Sequence, residues 1–351
     1  MKAIHGGDLY RNSVVLDFSV NTNPLGVPNT VTDAMLQAVK VCDKYPDIVV
    51  EKLTKSVSIA YSIPSEYLLF GNGSSELFMA VVHAIAPQKT VIPVPSFYGY
   101  AYAAGAADTE IVSFETKAEH AFCMTTEICS VLTEDVDLLF LANPNNPTGT
   151  IIEKELLKQI LNHCKDKHIT VVLDECFVEF CDGAHTILSE IKAYDNLILV
   201  RAFTKIFSVP GVRLGYLVCS NQKLLETIKR HIPEWNLSCF AQAAGCACCD
   251  LAGKTDFIRK TVSYVKKERQ FLEKAFYKRG IRFFPSEANF ILIDCEEPLY
   301  ERLLEQGILI RDCSNFKGLR SGYYRIAVKS RAENETLLNA IDAIKQYHRR
   351  Q

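Results

Sequence analysis

The sequence predicts an α/β fold: a mostly parallel central sheet flanked by helices, with a second, smaller α+β domain. Two observations lead to this prediction. In the middle of the chain, short and almost continuously apolar runs alternate with amphipathic segments, as expected for strands that helices cover on both faces. In addition, the 351-residue chain is near the upper limit for a single hydrophobic core, so two domains are expected.

The central sheet is predicted from apolar runs bounded by polar or turn-forming residues. The candidate strands are TVIPVP (90–95), VDLLFLANP (136–144), ITVVLDECF (169–177), NLILVRAF (196–203) and RLGYLVCS (213–220). Helices are predicted between them, including 74–86 and 153–167. Strands that alternate with helices of this length are typical of a parallel sheet.

The last third of the chain has a different pattern. A strand at 288–295 precedes a helix at 298–307, the segments ILIRDC (308–313) and YYRIAVKS (323–330), and a final helix from about Glu333. No strand pattern near the N-terminus fits the central sheet. We therefore expect residues 42–250 to form the large domain, and residues 1–41 and 251–351 to form the small one.

Composition argues against several classes of partner. The net charge is −2, with 48% hydrophobic and 23% charged residues, which does not favour nucleic acid or an anionic membrane as a partner. No apolar run reaches the roughly 18 residues of a membrane helix, and MKAIHGGDLYRNS lacks the apolar core of a signal peptide. A cytoplasmic protein is expected, and its 13 cysteines should be free thiols.

One group of cysteines requires a choice between two interpretations. Cys239, Cys246, Cys248 and Cys249 could hold a metal ion, but their spacing is not that of paired C-x-x-C motifs and no histidine lies nearby. The alanine-rich sequence AQAAGCACCD favours a tightly packed helix, and we expect no metal.

Polar segments follow the ends of the candidate strands, where ligands bind in α/β sheets. GNGSSE (71–76) opens an apolar helix, and it suits either an ordinary helix cap or a phosphate-binding helix start. NPNNPTG (143–149) is a turn that needs no function to explain it. In DECF (174–177), one acid could face a buried cation, or both acids could simply mark the strand end.

The segment RAFTKIFSVPGVRLGY (201–216) is the most informative. Thr204 and Lys205 follow a buried strand, and Arg213 lies eight residues after the lysine. Burial of a lysine is costly unless it is paired or used, and desolvation lowers the pKa of its amine. Such an amine can form a Schiff base, while Thr204 and Arg213 could hold a phosphate.

Together, in this order and spacing, these segments and YYRIAV resemble the fold-type I pyridoxal-phosphate (PLP) enzymes of the class I/II aminotransferase group. The resemblance covers nearly the whole chain. It implies a PLP cofactor and a homodimer. For the cofactor ring it implies Lys205 as the Schiff-base lysine, Asp174 as the partner of the ring nitrogen, Asn146 as the donor to the ring hydroxyl oxygen and Phe97 as the stacking ring. For the cofactor phosphate it implies a cup formed by Ser74, Ser75, Thr204 and Arg213. Tyr45 is implied as a contact to the cofactor phosphate of the neighbouring subunit.

Within the group, HGGD, LDFSVNTNPLG, KYPD, PEWNLS and ILIRDC resemble the members that decarboxylate threonine phosphate in cobalamin biosynthesis. The implied products are (R)-1-aminopropan-2-ol phosphate and CO2. Phe177 stands where aminotransferases of the group usually have tyrosine, which also favours the decarboxylase. The implied substrate-binding residues are Arg325 for the α-carboxylate, His5, Gly6, Gly7 and Arg311 for the phosphate, and Asn23.

Other functions remain open on the sequence. They are transamination of histidinol phosphate or another amino acid, decarboxylation of serine phosphate, and a non-catalytic PLP-binding regulatory role. Arg311 could instead form a surface salt bridge. Two positions depart from the family pattern: Ala202 lacks a hydroxyl for the cofactor phosphate, and Asp8 replaces the common asparagine.

Overall fold

The structure is a computed structural model that describes residues 5–183 and 185–348. The strands are β1 (Leu16–Asp17), β2 (Leu68–Gly71), β3 (Lys89–Val94), β4 (Glu110–Glu115), β5 (Leu138–Ala142), β6 (Thr170–Asp174), β7 (Leu197–Ala202), β8 (Gly215–Val218), β9 (Arg282–Phe283), β10 (Phe290–Asp294), β11 (Ile308–Leu309), β12 (Arg311–Asp312) and β13 (Tyr323–Ala327). The helices are α1 (Asn29–Ala38), α2 (Glu51–Tyr61), α3 (Ser74–Ile85), α4 (Tyr98–Gly105), α5 (Lys154–Asp166), α6 (Phe203–Ile206), α7 (Gln222–Lys229), α8 (Cys239–Lys254), α9 (Phe257–Lys278), α10 (Leu299–Leu304) and α11 (Arg331–His348).

A seven-stranded sheet forms the centre, in the order β2-β8-β7-β6-β5-β3-β4. Strand β8 pairs antiparallel with both β7 and β2, whereas the remaining pairs are parallel. The predicted mostly parallel sheet flanked by helices is therefore confirmed. Two strands, β2 and β4, were not predicted: β2 has only four residues, and β4 is a partly exposed edge strand without a continuous apolar run.

Helices cover both faces of this sheet, which explains the continuous apolar runs. In β5, Leu139 and Leu141 face one hydrophobic cluster, while Leu138 and Phe140 face the other. Side chains alternate between the faces of a strand, so a strand buried on both faces needs apolar residues at every position. The carboxyl ends of β5, β6 and β7 consequently lie at one edge of a fully covered sheet.

A second sheet has the order β12-β13-β10-β9 and is antiparallel. Strand β1 pairs in parallel with β11, which joins the N-terminal segment to the C-terminal third. We keep the division into residues 42–250 and residues 1–41 with 251–351 as a proposal; residues 1–4 and 349–351 lie outside the described residues. In the described part of the chain, no helix is long and apolar enough to cross a bilayer.

The cysteines at 239–249 lie in or at the start of α8, where Cys248 and Cys249 are buried. All thirteen cysteines are free. A Cβ on Gly245 would lie 2.6 Å from Leu53 and 2.7 Å from Leu214, so α8 packs closely on its neighbours here.

A buried ion pair joins the ends of β6 and β7 on the side of the sheet edge away from Asp174. Nε and Nη2 of Arg201 donate to Oε2 of Glu175 at 3.1 and 2.7 Å, and the Thr186 hydroxyl donates to the same oxygen at 2.7 Å. The backbone N–H of Ile187 donates to Oε1 at 3.2 Å. Both charged side chains are buried, at 5% and 0% exposure. The pair therefore fixes two strand ends that carry Asp174 and Lys205.

Replacement of Arg201 by Met should lower the free energy of unfolding by about 3–5 kcal/mol, because it leaves the Glu175 carboxylate buried without its counter-charge. Urea unfolding of the cofactor-free protein measures this. The control is Arg259→Met, which removes an exposed pair with Asp256 and should cost less than about 1 kcal/mol. Equal losses in the two variants would contradict the assigned importance of the buried pair.

Candidate active site

A cavity of about 660 Å³ lies at the carboxyl ends of the central strands. Strands β12 and β13 and the segment around His5 and Ser19 supply the opposite wall. Twelve of the fifteen predicted site residues line it: His5, Gly6, Ser74, Ser75, Phe97, Asn146, Asp174, Thr204, Lys205, Arg213, Arg311 and Arg325. The sequence motifs therefore meet in one place.

Lys205 lies in the short helix α6, directly after β7. Burial lowers the pKa of its amine to about 8, and the positive charges of Arg325 and Arg213 act in the same direction, whereas Cys176 and Asp174 oppose them. The amine lies 5.8 Å from the centre of the Phe177 ring. A much larger fraction of this amine is neutral near pH 7 than for an ordinary lysine, so it suits a nucleophilic role.

Asp174 is the last residue of β6, and it is held on both oxygens. The hydroxyl of Tyr100 donates to Oδ2 at 2.6 Å, and the N–H of Cys176 donates to Oδ1 at 2.8 Å. Burial raises the pKa of Asp174, while these hydrogen bonds and the charge of Lys205 act against that rise. Tyr100 is itself buried and stacks on Phe140 at 5.1 Å. The carboxylate is thus placed for a cationic partner in the cavity.

The start of α3 and Arg213 form a cup of hydrogen-bond donors. Gly73 precedes the helix with φ of +83°, and a Cβ there would lie 2.5 Å from Nη2 of Arg213. Only glycine therefore allows the guanidinium to lie against this turn. Ser74, Ser75 and Thr204 line the same part of the cavity, and unpaired N–H groups at a helix start attract anions. Ala202 also lines the cavity and adds no hydroxyl.

Arg325 is buried in β13, and several oxygen atoms orient it. Nη2 donates to the backbone oxygen of Ser19 at 2.7 Å, and Nη1 donates to Oδ1 of Asn146. With the amide of Asn21 turned so that its oxygen faces the guanidinium, it accepts from Nε at 3.1 Å and from Nη1 at 3.3 Å. None of these partners is a carboxylate. Burial lowers the pKa of Arg325 to about 10, and nearby Arg311 contributes.

Arg311 is the Cα partner of Arg325 in the antiparallel pair β12–β13. Nη1 of Arg311 donates to the backbone oxygen of Asp312 at 2.7 Å, Nη2 donates to Oδ1 of Asn315 at 2.8 Å, and the guanidinium lies 4.9 Å from the Phe316 ring centre. It is buried at 7% exposure, so the alternative of a surface salt bridge is wrong. Two guanidinium groups therefore stand side by side on one cavity wall.

The N-terminal segment lies over the aromatic side of the cavity. The His5 ring lies 6.0 Å from that of Phe97 and 5.8 Å from that of Tyr98. Burial and the charges of Arg311 and Arg325 lower the pKa of His5, so its neutral form is favoured. A Cβ on Gly6 would lie 2.3 Å from the Ser19 carbonyl oxygen, which explains glycine at this position.

Three predicted residues do not line the main cavity. The N–H of Gly7 donates to Oγ of Ser19 at 2.7 Å, so it is not a free phosphate donor. Asn23 is buried, and its amide nitrogen donates to the Ile206 oxygen at 2.7 Å and to Thr261 at 3.0 Å, so it supports the Lys205 segment instead of binding substrate. Tyr45 is 83% exposed and stacks on Trp235 at 5.1 Å.

Sequence reasoning missed other cavity residues, chiefly Tyr100, Asn21, Ser19 and Lys317. A signal existed for two of them. Tyr100 belongs to PSFYGY, one helical turn after Phe97, and Asn21 lies in the same SVNTNP motif as Asn23. Phe97 directly precedes α4 and Tyr100 lies in its first turn, so proximity in the sequence made both candidates for one wall.

The residues present fit PLP. An amine of lowered pKa, a buried carboxylate and a donor cup occupy one cavity, and they match the aldehyde, the ring nitrogen and the phosphate of that cofactor. Phe97 and Phe177 provide apolar walls, and Oδ1 of Asn146 is held by Arg325, which leaves its amide nitrogen as a donor. Among the described residues, no cluster suitable for a metal ion was found.

Comparisons with known proteins agree with this site. Residues 13–344 match the family model for aminotransferase class I and II. Threonine-phosphate decarboxylase of Salmonella typhimurium is 33% identical over 96% of this chain and 95% of its own length. Histidinol-phosphate aminotransferase of Clostridium kluyveri is 36% identical over 86% of this chain and 84% of its own. The histidinol-phosphate aminotransferase structure from Clostridium acetobutylicum superimposes with a TM-score of 0.88 at 33% identity, covering 95% of this chain and all of that one.

The lowered pKa of Lys205 has a measurable consequence in the cofactor-free protein. Reductive trapping of pyridoxal on Lys205 needs the neutral amine, so labelling should reach half of its maximum near a pH of about 8 and level off roughly one pH unit higher. Lys229, which is exposed and lies outside the cavity lining, is the comparison site in the same samples. Peptide mass spectrometry after borohydride treatment measures both sites. Parallel profiles for Lys205 and Lys229 would contradict the assigned environment.

Proposed function

The chain belongs to the aminotransferase class I and II family and is a PLP-dependent enzyme, and on that premise we propose that it is a carboxy-lyase. The proposed substrate is L-threonine O-3-phosphate, and the products are (R)-1-aminopropan-2-ol phosphate and CO2, as in cobalamin biosynthesis. The decarboxylase relative, which aligns over 96% of this chain, supports this choice.

One observation carries the proposal: Arg311 and Arg325 stand opposite each other in paired strands and line one cavity wall. Threonine phosphate has two anionic groups, a carboxylate and a phosphate. Arginine recognises both through paired hydrogen bonds. We assign the carboxylate to Arg325, since Asn146, Asn21 and Ser19 orient it, and the phosphate to Arg311.

The chain's own groups select which bond breaks. Bound PLP supplies an electron sink for the pair left on Cα when a neighbouring bond breaks. Arg325 holds the carboxylate and Arg311, with His5, holds the phosphate, so the substrate is fixed at both ends. The bond between Cα and the carboxylate then breaks, CO2 leaves, and the ammonium form of Lys205 returns a proton to Cα.

Phe177 supports decarboxylation over transamination. Its ring packs edge-on against Phe290 at 5.1 Å and lies beside the Lys205 amine. Phenylalanine gives no hydrogen-bond donor, whereas aminotransferases of this resemblance usually have a tyrosine at this position. The second candidate, transamination of histidinol phosphate, is favoured by the relative that is 36% identical. Histidinol phosphate lacks a carboxylate, so it uses fewer of the cavity's cations.

We also propose a homodimer in which Tyr45 completes the partner's site. Tyr45 and Trp235 form an exposed aromatic pair, and Val41, Ile48 and Val49 nearby are 45%, 47% and 71% exposed. Exposed apolar groups close together are typical of an interface. A phenol that does not line its own subunit's cavity, next to such a patch, suits a contact across two subunits.

Incubation of the holoenzyme with threonine phosphate should release CO2 and an amino-alcohol phosphate of matching mass. The comparison reactions are serine phosphate alone, and histidinol phosphate together with 2-oxoglutarate. Mass spectrometry identifies the products of each reaction. Lys205→Ala should abolish turnover and the visible absorbance of the bound cofactor. Glutamate formation from 2-oxoglutarate without CO2 would favour the aminotransferase instead.

Arg325→Ala should lower kcat/KM for threonine phosphate by roughly 100-fold, because it removes a buried, oriented cation from the carboxylate. Cofactor content, read from absorbance, should stay near that of the wild type. Arg320→Ala is the control, since Arg320 is exposed and pairs with Asp294. An unchanged kcat/KM in Arg325→Ala would overturn the carboxylate assignment.

Mixing subunits tests the role of Tyr45 across the dimer. Lys205→Ala and Tyr45→Ala proteins, dissociated and reassociated together at limiting PLP, should give hybrids with one intact site and activity above either parent. Lys205→Ala mixed with Arg213→Ala is the control, because both residues lie in the same subunit's cavity and no intact site forms. Equal behaviour of the two mixtures would contradict the shared site.

A further inference from the structure

The loop 313–322, between β12 and β13, reaches from the small sheet to the central one. Phe316 anchors it in a cluster with Phe122 and Phe284. Gly318 has φ of +85°, and a Cβ there would lie 3.5 Å from the backbone nitrogen of Pro95, just after β3. The loop therefore forms one side of the cavity, next to the carboxyl end of β3, and contributes Asn315, Phe316 and Lys317 to its lining.

Lys317 is the loop residue between that anchor and that contact. It lines the cavity together with Arg311 and Asn315, although it is itself exposed at the cavity's edge. Within residues 5–183 and 185–348, its amine has no ion pair and no hydrogen bond. An exposed lysine without a partner is often an ordinary solvated residue. Whether Lys317 has a role depends on the balance of positive and negative charges in the rest of the cavity lining.

The charges of the cavity require anionic ligands. Its described lining has five cationic side chains, Lys205, Arg213, Arg311, Lys317 and Arg325, and one carboxylate, Asp174. A PLP held in this cavity would engage Lys205 through its aldehyde, Asp174 through its ring nitrogen and Arg213 through its phosphate. Arg311, Lys317 and Arg325 are the other cationic side chains among the described lining residues.

Threonine phosphate carries three negative charges when its phosphate is fully ionised, one on the carboxylate and two on the phosphate. Arg325 matches the carboxylate. Arg311 supplies one positive charge to the phosphate, and part of its guanidinium is already engaged with Asp312 and Asn315. The second phosphate charge calls for another cation, and Lys317 lines the same cavity directly after Phe316, against whose ring the Arg311 guanidinium lies.

We propose that Lys317 is a specificity-determining residue that binds the substrate's phosphate dianion and selects phosphorylated over unphosphorylated amino acids. This inference rests on the proposed function, because it assumes a substrate with a phosphate and a carboxylate. We assign Lys317 to binding and not to the bond that breaks, since its side chain is exposed to solvent.

The test uses the holoenzyme and three variants. Lys317→Met keeps the aliphatic stem and removes the charge, Lys317→Arg keeps the charge, and Lys229→Met removes an exposed charge outside the cavity. Binding of threonine phosphate is titrated through cofactor absorbance, inhibition by inorganic phosphate is measured, and CO2 release gives KM and kcat.

In Lys317→Met, the dissociation constant and KM for threonine phosphate should rise about tenfold with kcat little changed, the low end expected for a charged hydrogen bond at an exposed site. The inhibition constant of inorganic phosphate should rise in parallel, while the absorbance response to unphosphorylated threonine stays constant. Lys317→Arg should restore binding, and Lys229→Met should match the wild type.

The outcomes separate the two proposals. CO2 release by the wild type with unchanged binding in Lys317→Met overturns the role of Lys317 and keeps the decarboxylase. Binding of threonine phosphate without CO2 overturns the decarboxylase, and the titration of Lys317→Met then decides this inference alone. A wild type that does not bind threonine phosphate overturns both.

Discussion

The arrangement of the site depends on the burial of the Lys205 amine among guanidinium groups. Desolvation and the charges of Arg325 and Arg213 lower its pKa to about 8, and only Asp174 and Cys176 act in the other direction. Concentrating cations in a buried cavity is costly without counter-charges. Anionic ligands relieve that cost, so the same electrostatics that make the amine nucleophilic also favour binding of a cofactor and a substrate with phosphate groups.

The topology of the sheet explains why these charges meet. Parallel β5, β6 and β7 end at one edge, which places Asn146, Asp174 and Lys205 side by side. Arg213 comes from the turn before antiparallel β8, whose first residue, Gly215, pairs with Ala202 at the end of β7. The buried Arg201–Glu175 pair joins the ends of β6 and β7, and it therefore helps to fix the distance between Asp174 and Lys205.

The sequence predicted the deep part of the site because its reactive side chains come directly after apolar strands. Asp174 and Lys205 stand out as charged residues at the ends of buried runs, and Arg213 follows at a fixed spacing. Asn21 lines the cavity and Asn23 does not, and which asparagine of an irregular segment faces a cavity depends on backbone direction, which no periodicity reveals. Tyr100 was missed because its hydroxyl partner, Asp174, lies 74 residues away in the sequence.

The two walls of the cavity therefore have different roles. The sheet edge carries Lys205, Asp174 and the donor cup, which any PLP enzyme with this fold could use. The opposite wall, formed by β12, β13 and the loop 313–322, carries Arg311, Arg325 and Lys317, whose charges have to match one particular substrate. Since those residues are on a separate sheet, their number and spacing can change without disturbing the buried amine. Decarboxylating and aminotransferring relatives are accordingly expected to differ on this wall and at Phe177, whose ring centre lies 5.8 Å from the amine and 5.1 Å from the ring centre of Phe290 in the small sheet.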